Sequence, residues 1–148
     1  MKPKLLVSAC LLGTPCRYDG KSKKNEAVCA LAERFELIPV CPEVLGGLDI
    51  PRTPAERQPD GRVVNRDGED VTAAYEAGAK AALDIARSCG CTAAILKARS
   101  PSCGSGEIYD GSFTGTRVSG WGVAAALLRD AGLEVYNEEE LPASLFGE

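Results

Sequence analysis

Seven cysteines and no histidine set the terms for any chemistry this chain performs. Without histidine there is no Ser-His-Asp triad, no Cys-His dyad and no imidazole ligand for a metal. A general base must then be a carboxylate, Lys, Tyr, Cys or water. Three of the thiols stand in loops of distinctive composition: Cys10 in SACLLG, Cys41 in VCPEVLGG and Cys103 in SPSCG. Thiolates without imidazole suit zinc or an iron–sulfur cluster. Structural zinc wants four closed ligands at CxxC-like spacing, and the chain has no CxxC. Three cysteines on a cubane leave one iron open, and an open metal position is a catalytic position. Three unliganded loop thiols are the plain alternative. Cys16 shares the first loop with Cys10 and is either a fourth ligand or a bystander. Cys29 falls on an apolar helix face, and Cys89 and Cys91 flank a helix end. Packing accounts for all three, with a redox role for the CxC pair as the other option.

The loops are positioned by four short apolar runs: KLLVSA (Lys4–Ala9), ELIPV (Glu36–Val40), TAAILKA (Thr92–Ala98) and LEVYN (Leu133–Asn137). Each reads as a buried strand. Helical patterns separate them. NEAVCALAERF has Asn25 as N-cap. DVTAAYEAGAKAALDIARSCG starts at Asp70 or Thr72 and ends at Gly90. GWGVAAALLRDAG spans Gly120–Gly132, and EEELPASLF is a last short helix. CPEVLGG, the proline-rich DIPRTPAERQPDG and the glycine-rich SGEIYDGSFTGTRVSG read as loops, and GRVVNRDGED as a small edge strand and turn. Apolar strands alternating with helices imply an α/β fold: a parallel sheet covered on both faces, with strand order 2-1-3-4. The chain's 148 residues fit a single domain. In such a sheet the strand ends share one edge, beside the switch in strand order where these folds bind ligands. Cys10, Cys41 and Cys103 follow three adjacent strands about 4.8 Å apart, so short loops can bring their sulfurs together.

An odd number of thiols cannot all pair, so a reducing compartment, the cytoplasm, fits better than a disulfide framework. No apolar run is long enough to span a membrane, and the apolar stretch behind Met1 is too short for a signal peptide. The net charge of −4 argues against a broad nucleic-acid surface. The basic residues nevertheless crowd early, with Lys2, Lys4, Arg17, Lys21, Lys23, Lys24 and Arg34 against Asp19, Glu26 and Glu33. This suits a small anion near the first loop, or simply a solvated basic face. Ser119, Gly120 and Gly122, where GTRVSGWGV opens a helix, are candidates for holding a phosphate on free amides. Helix–strand packing explains the glycines nearly as well. Ser8, Arg17 and Lys97 are further substrate-binding candidates, with Arg117 a looser one.

The blocks VSACLLG, RYDG, CPEVLGGL with PR, LKARSPSCG, IYDGSFTGT and GWGVAAALLRDAGLEV occur here in the order seen in the TudS-type thiouracil desulfidases. The resemblance runs from about Lys4 to Val135, and together the blocks are specific. It implies a Rossmann-like α/β domain, a four-stranded mainly parallel sheet with helices on both faces. It also implies a [4Fe-4S] cluster on three cysteines with one open iron, and these match Cys10, Cys41 and Cys103. Glu43 and Ser100 match the family's catalytic polar residues. The implied reaction is non-redox removal of sulfur from thiouracil compounds, giving uracil compounds and hydrosulfide. The substrate is then 4-thiouracil, 4-thiouridine or 4-thio-UMP, with 2-thiouracil a further option. Relatives acting on tRNA carry a second domain, so a small molecule is expected here.

In that scheme the open iron polarises the thiocarbonyl, Glu43 activates water as general base, and Ser100 hydrogen-bonds the ring or relays a proton. Two rivals stand beside it. One is a non-enzymatic zinc- or cluster-binding redox or sensor module. The other is a thiol transferase with Cys103 as nucleophile. Structurally, Glu43 also reads as a carboxylate capping a turn, and Ser100 as a turn serine bonding its own backbone.

Overall fold

A computed structural model describes residues 2–147 of the chain. β1 (Lys4–Ser8) is an apolar strand followed by a 3-10 turn, Ala9–Leu12, which Gly13 closes in the left-handed conformation. α1 (Glu26–Ala30) begins where the Asn25 side chain accepts the Val28 amide at 3.0 Å. A further 3-10 turn over Leu31–Glu33 leads to β2 (Glu36–Val40). α2 (Pro42–Leu45) is one helical turn, and β3 (Ala55–Arg57) with β4 (Val63–Asn65) makes an antiparallel hairpin. α3 (Thr72–Cys89) is the long helix. Asp70 Oδ1 accepts the Thr72 amide at 2.9 Å at its start, and Gly90 ends it with left-handed backbone. β5 (Ala93–Leu96) is buried throughout. β6 (Ser105–Tyr109) and β7 (Arg117–Trp121) form a second hairpin, followed by α4 (Val123–Asp130), β8 (Glu134–Asn137) and a 3-10 turn over Ala143–Phe146.

The main sheet has the order β2-β1-β5-β8, all parallel, which is the 2-1-3-4 order expected from the strand pattern. Side chains alternate between its two faces. Leu5, Val7, Ala93 and Ile95 pack with Val28 and Leu31 on one side. Leu6, Ala94 and Leu96 pack with Leu83, Ala86, Ala125 and Leu128 of α3 and α4 on the other. Both faces are thus covered by helix, which is why the strands read as continuous apolar runs. Among the described residues no helix is long and apolar enough to cross a membrane.

Four local expectations change, and the first is that the proline-rich DIPRTPAERQPDG is not loop throughout, since Ala55–Arg57 within it forms β3. CPEVLGG is not a loop but opens with α2: Cys41 is its N-cap and Pro42 fills the first helical position with a suitable φ. The glycine-rich stretch after Cys103 is the β6–β7 hairpin, in which Gly106 faces Gly120 and Glu107 faces Ser119. Pairing with β6 therefore claims Gly120 and Trp121 as strand, and α4 starts only at Val123. The last helix shrinks to Ala143–Phe146, since Pro142 is extended and sits just before it.

Candidate active site

A cavity of about 710 Å³ opens at the edge of the sheet where β1, β2 and β5 end. Cys10, Cys16, Cys41 and Cys103 all line it. The register explains three of them: Ser8 pairs with Val40, so Cys10 and Cys41 leave neighbouring strands at the same level. Cys103 arrives from the loop after β5, and the Lys97 amide donates to Ser8 Oγ at 2.9 Å, tying that strand end to β1. The Cys16 thiol contacts those of Cys10 and Cys41, so the fourth thiol belongs to the same cluster of sulfurs. Cys29, Cys89 and Cys91 do not line the cavity. All seven cysteines are free.

Among the described residues no three Cys, Asp or Glu side chains stand close enough together to hold a single metal ion, and the four thiols on one cavity are instead donors of the kind that hold a larger iron–sulfur cluster. Several thiols face one cavity without pairing as disulfides. Ser8 Oγ donates to Cys103 Sγ at 3.5 Å, a bond that suits a charged sulfur better than a neutral one. Ser102 Oγ, beside the same sulfur, is buried with no hydrogen-bond partner among the described residues. Burial pushes the Cys103 thiol up to about 12 from an ordinary 9.0. Cys41 is also raised, first by the Cys16 thiol and then by burial. These thiols are therefore protonated near neutral pH, and any metal they bind must displace their protons. The folded state holds protons that the unfolded chain loses first, so stability is full below pH about 9 and falls above it. Metal-free protein is expected to melt at progressively lower temperature between about pH 9 and 12. A flat melting profile over that range would contradict the thiols' burial.

Glu43, on the first turn of α2, is held from three sides. Arg52 Nε and Nη2 both donate to Glu43 Oε2 at 2.8 Å, with side chains only 9% and 14% exposed respectively. Ser100 Oγ reaches Glu43 Oε1 at 3.5 Å. Tyr75 of α3 lies against the same carboxylate, and burial first, then Glu43, raises its phenol. Arg52 also donates to the Cys16 and Asp49 carbonyls, both at 3.1 Å. Ser100 Oγ accepts the amides of Ser102 and Cys103 at 3.0 and 2.9 Å. Ser100 is thus both a turn serine and a partner of Glu43. One network joins the Cys16 loop, Glu43 and the Cys103 loop. Glycines allow it: a Cβ on Gly46 would lie 2.0 Å from the Ala74 carbonyl oxygen, and one on Gly78 would lie 1.8 Å from that of Pro42. Only backbone-to-backbone contact of α2 and α3 puts Glu43 beside Tyr75.

The remaining expected residues divide. Lys97 both lines the cavity and pairs with Glu138 at 2.8 Å. Arg17 lines the cavity and lies within 3.8 Å of Asp19. Ser8 lines it too, with its hydroxyl engaged by Lys97 and Cys103. Ser119, Gly120 and Gly122 do not line it. The amides at the start of α4 are taken: Gly122 donates to the Gly104 carbonyl, Val123 to Pro101, and Ala124 and Ala125 to Ser102. No free amides remain there for an anion. The glycines serve packing instead, for a Cβ on Gly122 would meet the Ser102 carbonyl carbon at 2.4 Å and one on Gly120 the Ile108 side chain at 3.0 Å. Arg117 pairs with Glu107 on the exposed hairpin and does not line the cavity.

A family profile described as 2-thiouracil desulfurase matches residues 5–140. The chain belongs to this family. It is 43% identical over 146 residues to the uncharacterized protein YbbK of Bacillus subtilis (strain 168), covering 93% of this chain and 97% of that one. The solved structure of the [4Fe-4S]-dependent thiouracil desulfidase TudS superposes with a TM-score of 0.91 at 47% identity, covering 99% of this chain and 97% of that one. Within the 2-thiouracil desulfurase fold, Arg52, Tyr75 and Ser102 surround Glu43 and Cys103 without having a role expected from the sequence. Arg52 had a signal, the PR pair following the CPEVLGGL block. Tyr75 had a weaker one, as the lone aromatic of an alanine-rich helix. Ser102 had none, since its significance lies in a missing partner.

Proposed function

We propose that this 2-thiouracil desulfurase family member hydrolyses the carbon–sulfur bond of thiolated uracil compounds, free base, nucleoside or nucleotide. The products are the uracil compound and hydrosulfide, with no net electron transfer. Cys10, Cys41 and Cys103 hold a [4Fe-4S] cluster. When bound, a cluster with an open iron supplies a soft Lewis acid suited to a thiocarbonyl sulfur. The observation carrying the reading is one cavity that joins these three thiols to a buried, oriented carboxylate. Its volume of about 710 Å³ lies in the range of small-molecule sites.

Glu43 is the general base. Both Arg52 nitrogens take Oε2, so Oε1 is the oxygen left to accept a proton from water. Ser100 accepts two amides, which leaves its own hydrogen for Glu43 Oε1 and fixes that oxygen in place. Lys97 and Arg17 at the cavity wall suit the polar edges of the substrate.

The test is sulfide release from 4-thiouracil, 4-thiouridine and 4-thio-UMP by anaerobically reconstituted protein. Brown protein with about four irons and sulfide release support the reading. Colourless, zinc-loaded, inactive protein would support a metal-binding module instead, and activity surviving complete iron removal would point to a thiol mechanism at Cys103. Cys10→Ser, Cys41→Ser and Cys103→Ser are each expected to abolish iron retention and turnover. Cys16→Ser is expected to keep the iron, since a fourth thiolate ligand would close the iron that the substrate needs.

A further inference from the structure

The Cys103 sulfur lies between two serine hydroxyls. Ser8 Oγ, in a residue 3% exposed, donates to it at 3.5 Å. The same oxygen accepts the Lys97 amide at 2.9 Å, which directs its hydrogen toward the sulfur. Ser102 is the residue before Cys103, and its hydroxyl acts against the rise that burial imposes on that thiol without making a hydrogen bond to it. Ser102 is 0% exposed, and its hydroxyl is the one buried side-chain nitrogen or oxygen without a hydrogen-bond partner among the described residues. Leaving a hydroxyl buried and unpaired costs stability. Alanine would avoid that cost in the same space.

The loop also gives Ser102 no room to find another partner. Ser100 Oγ fixes its amide, and its carbonyl accepts from Ala124 and Ala125. Gly122 lets the start of α4 press on the loop at backbone distance. Rotation about the side-chain bond is the freedom left, and the Cys103 sulfur is within its reach. A neutral thiol is a weak acceptor, whereas a metal-bound thiolate accepts strongly from more than one donor.

We infer that Ser8 and Ser102 form a two-hydroxyl cradle for the Cys103 sulfur, completed only when that sulfur is a cluster-bound thiolate. Both are positioning residues, acting through Cys103, and the inference rests on Cys103 being a cluster ligand. The cradle spreads the thiolate charge, which slows loss of iron and raises the reduction potential of the cluster. Ser8, expected from sequence to touch substrate, acts here on the ligand.

The experiment compares wild type, Ser102→Ala and Ser8→Ala, each reconstituted anaerobically. Iron loss to an excess chelator, cluster potential by redox titration and melting of the metal-free protein are measured. Each variant is expected to lose iron about tenfold faster and to titrate at a more negative potential. Ser102→Ala is the diagnostic one, because metal-free Ser102→Ala is expected to melt at or above the wild-type temperature. Opposite signs for the two states are what a packing role does not produce. Unchanged iron loss and potential in both variants would overturn the cradle, and so would a fall in metal-free melting of Ser102→Ala that parallels faster iron loss. A wild-type chain that takes up no iron would instead overturn the cluster reading beneath it.

Discussion

Glu43→Gln is expected to lower sulfide release by about 100-fold or more, the usual worth of a positioned general base, while iron content and cluster absorbance stay at wild-type level. Glutamine keeps the shape of the side chain and removes its basicity. The substitution has a second effect, because Arg52 is only 9% exposed and loses its charge partner. Breaking a buried ion pair from one side costs about 3–5 kcal/mol, so the single variant should also melt earlier. The double variant Glu43→Gln/Arg52→Gln removes the orphaned charge. It is expected to regain part of the lost stability and none of the activity, a coupling that a double-mutant cycle measures directly. Turnover within a few-fold of wild type in Glu43→Gln would sink the general-base assignment. Loss of the cluster together with activity would make Glu43 a structural residue of the Cys41 turn.

Gly78→Ala is expected to be the most damaging single methyl group in the chain. By helix propensity the change is favourable by about 1 kcal/mol, since glycine is a poor helix former in mid-helix. The contact decides otherwise. The new Cβ would lie 1.8 Å from the Pro42 oxygen and 2.7 Å from its carbonyl carbon. Backbone cannot yield as a side-chain tip can, so α2 must lift from α3, at a net cost of about 1–3 kcal/mol or more. For a chain of this size each kcal/mol lowers the melting temperature by roughly 2–4 °C. Glu43 follows Pro42 directly and moves with it, away from Tyr75 and Ser100. A displacement near 1 Å can cost about 100-fold in rate. Turnover is therefore expected to fall further than cluster content does. A raised melting temperature with normal activity would show that propensity wins and that α2 has slack.

The cysteine site was legible because it depends on a simple regularity. Strands that are apolar throughout belong to a parallel sheet, parallel strands end on one edge, and Cys10, Cys41 and Cys103 follow three such ends. Glu43 and Ser100 are singled out only through likeness to a family, as a carboxylate and a serine in turns are common, and the fold places both on the cavity wall. Lys97 was ambiguous in the sequence and has both roles in the fold, an ion pair with Glu138 and a place on the cavity wall. The phosphate site placed at Ser119, Gly120 and Gly122 was a local reading of glycines before a helix. In the fold the amides of Gly122 and the first turn of α4 bond to carbonyls of the Cys103 loop, and Ser119 and Gly120 belong to the β6–β7 hairpin.

What the sequence by itself determined is the α/β sheet, its strand order and the convergence of three thiols. Each follows from short-range patterning: apolar runs, caps and the positions of cysteines at strand ends. What only the tertiary structure decided is how those thiols are equipped. Arg52 comes from a proline-rich excursion, Tyr75 from the face of α3, and the Ser102 hydroxyl from a loop clamped under α4. Their meeting depends on close backbone approach at Gly46, Gly78 and Gly122, a contact between segments far apart in the chain. A periodicity in sequence reports which face of an element is buried. It does not report how near the neighbouring backbone comes, and that distance places the carboxylate and the hydroxyls around the sulfurs.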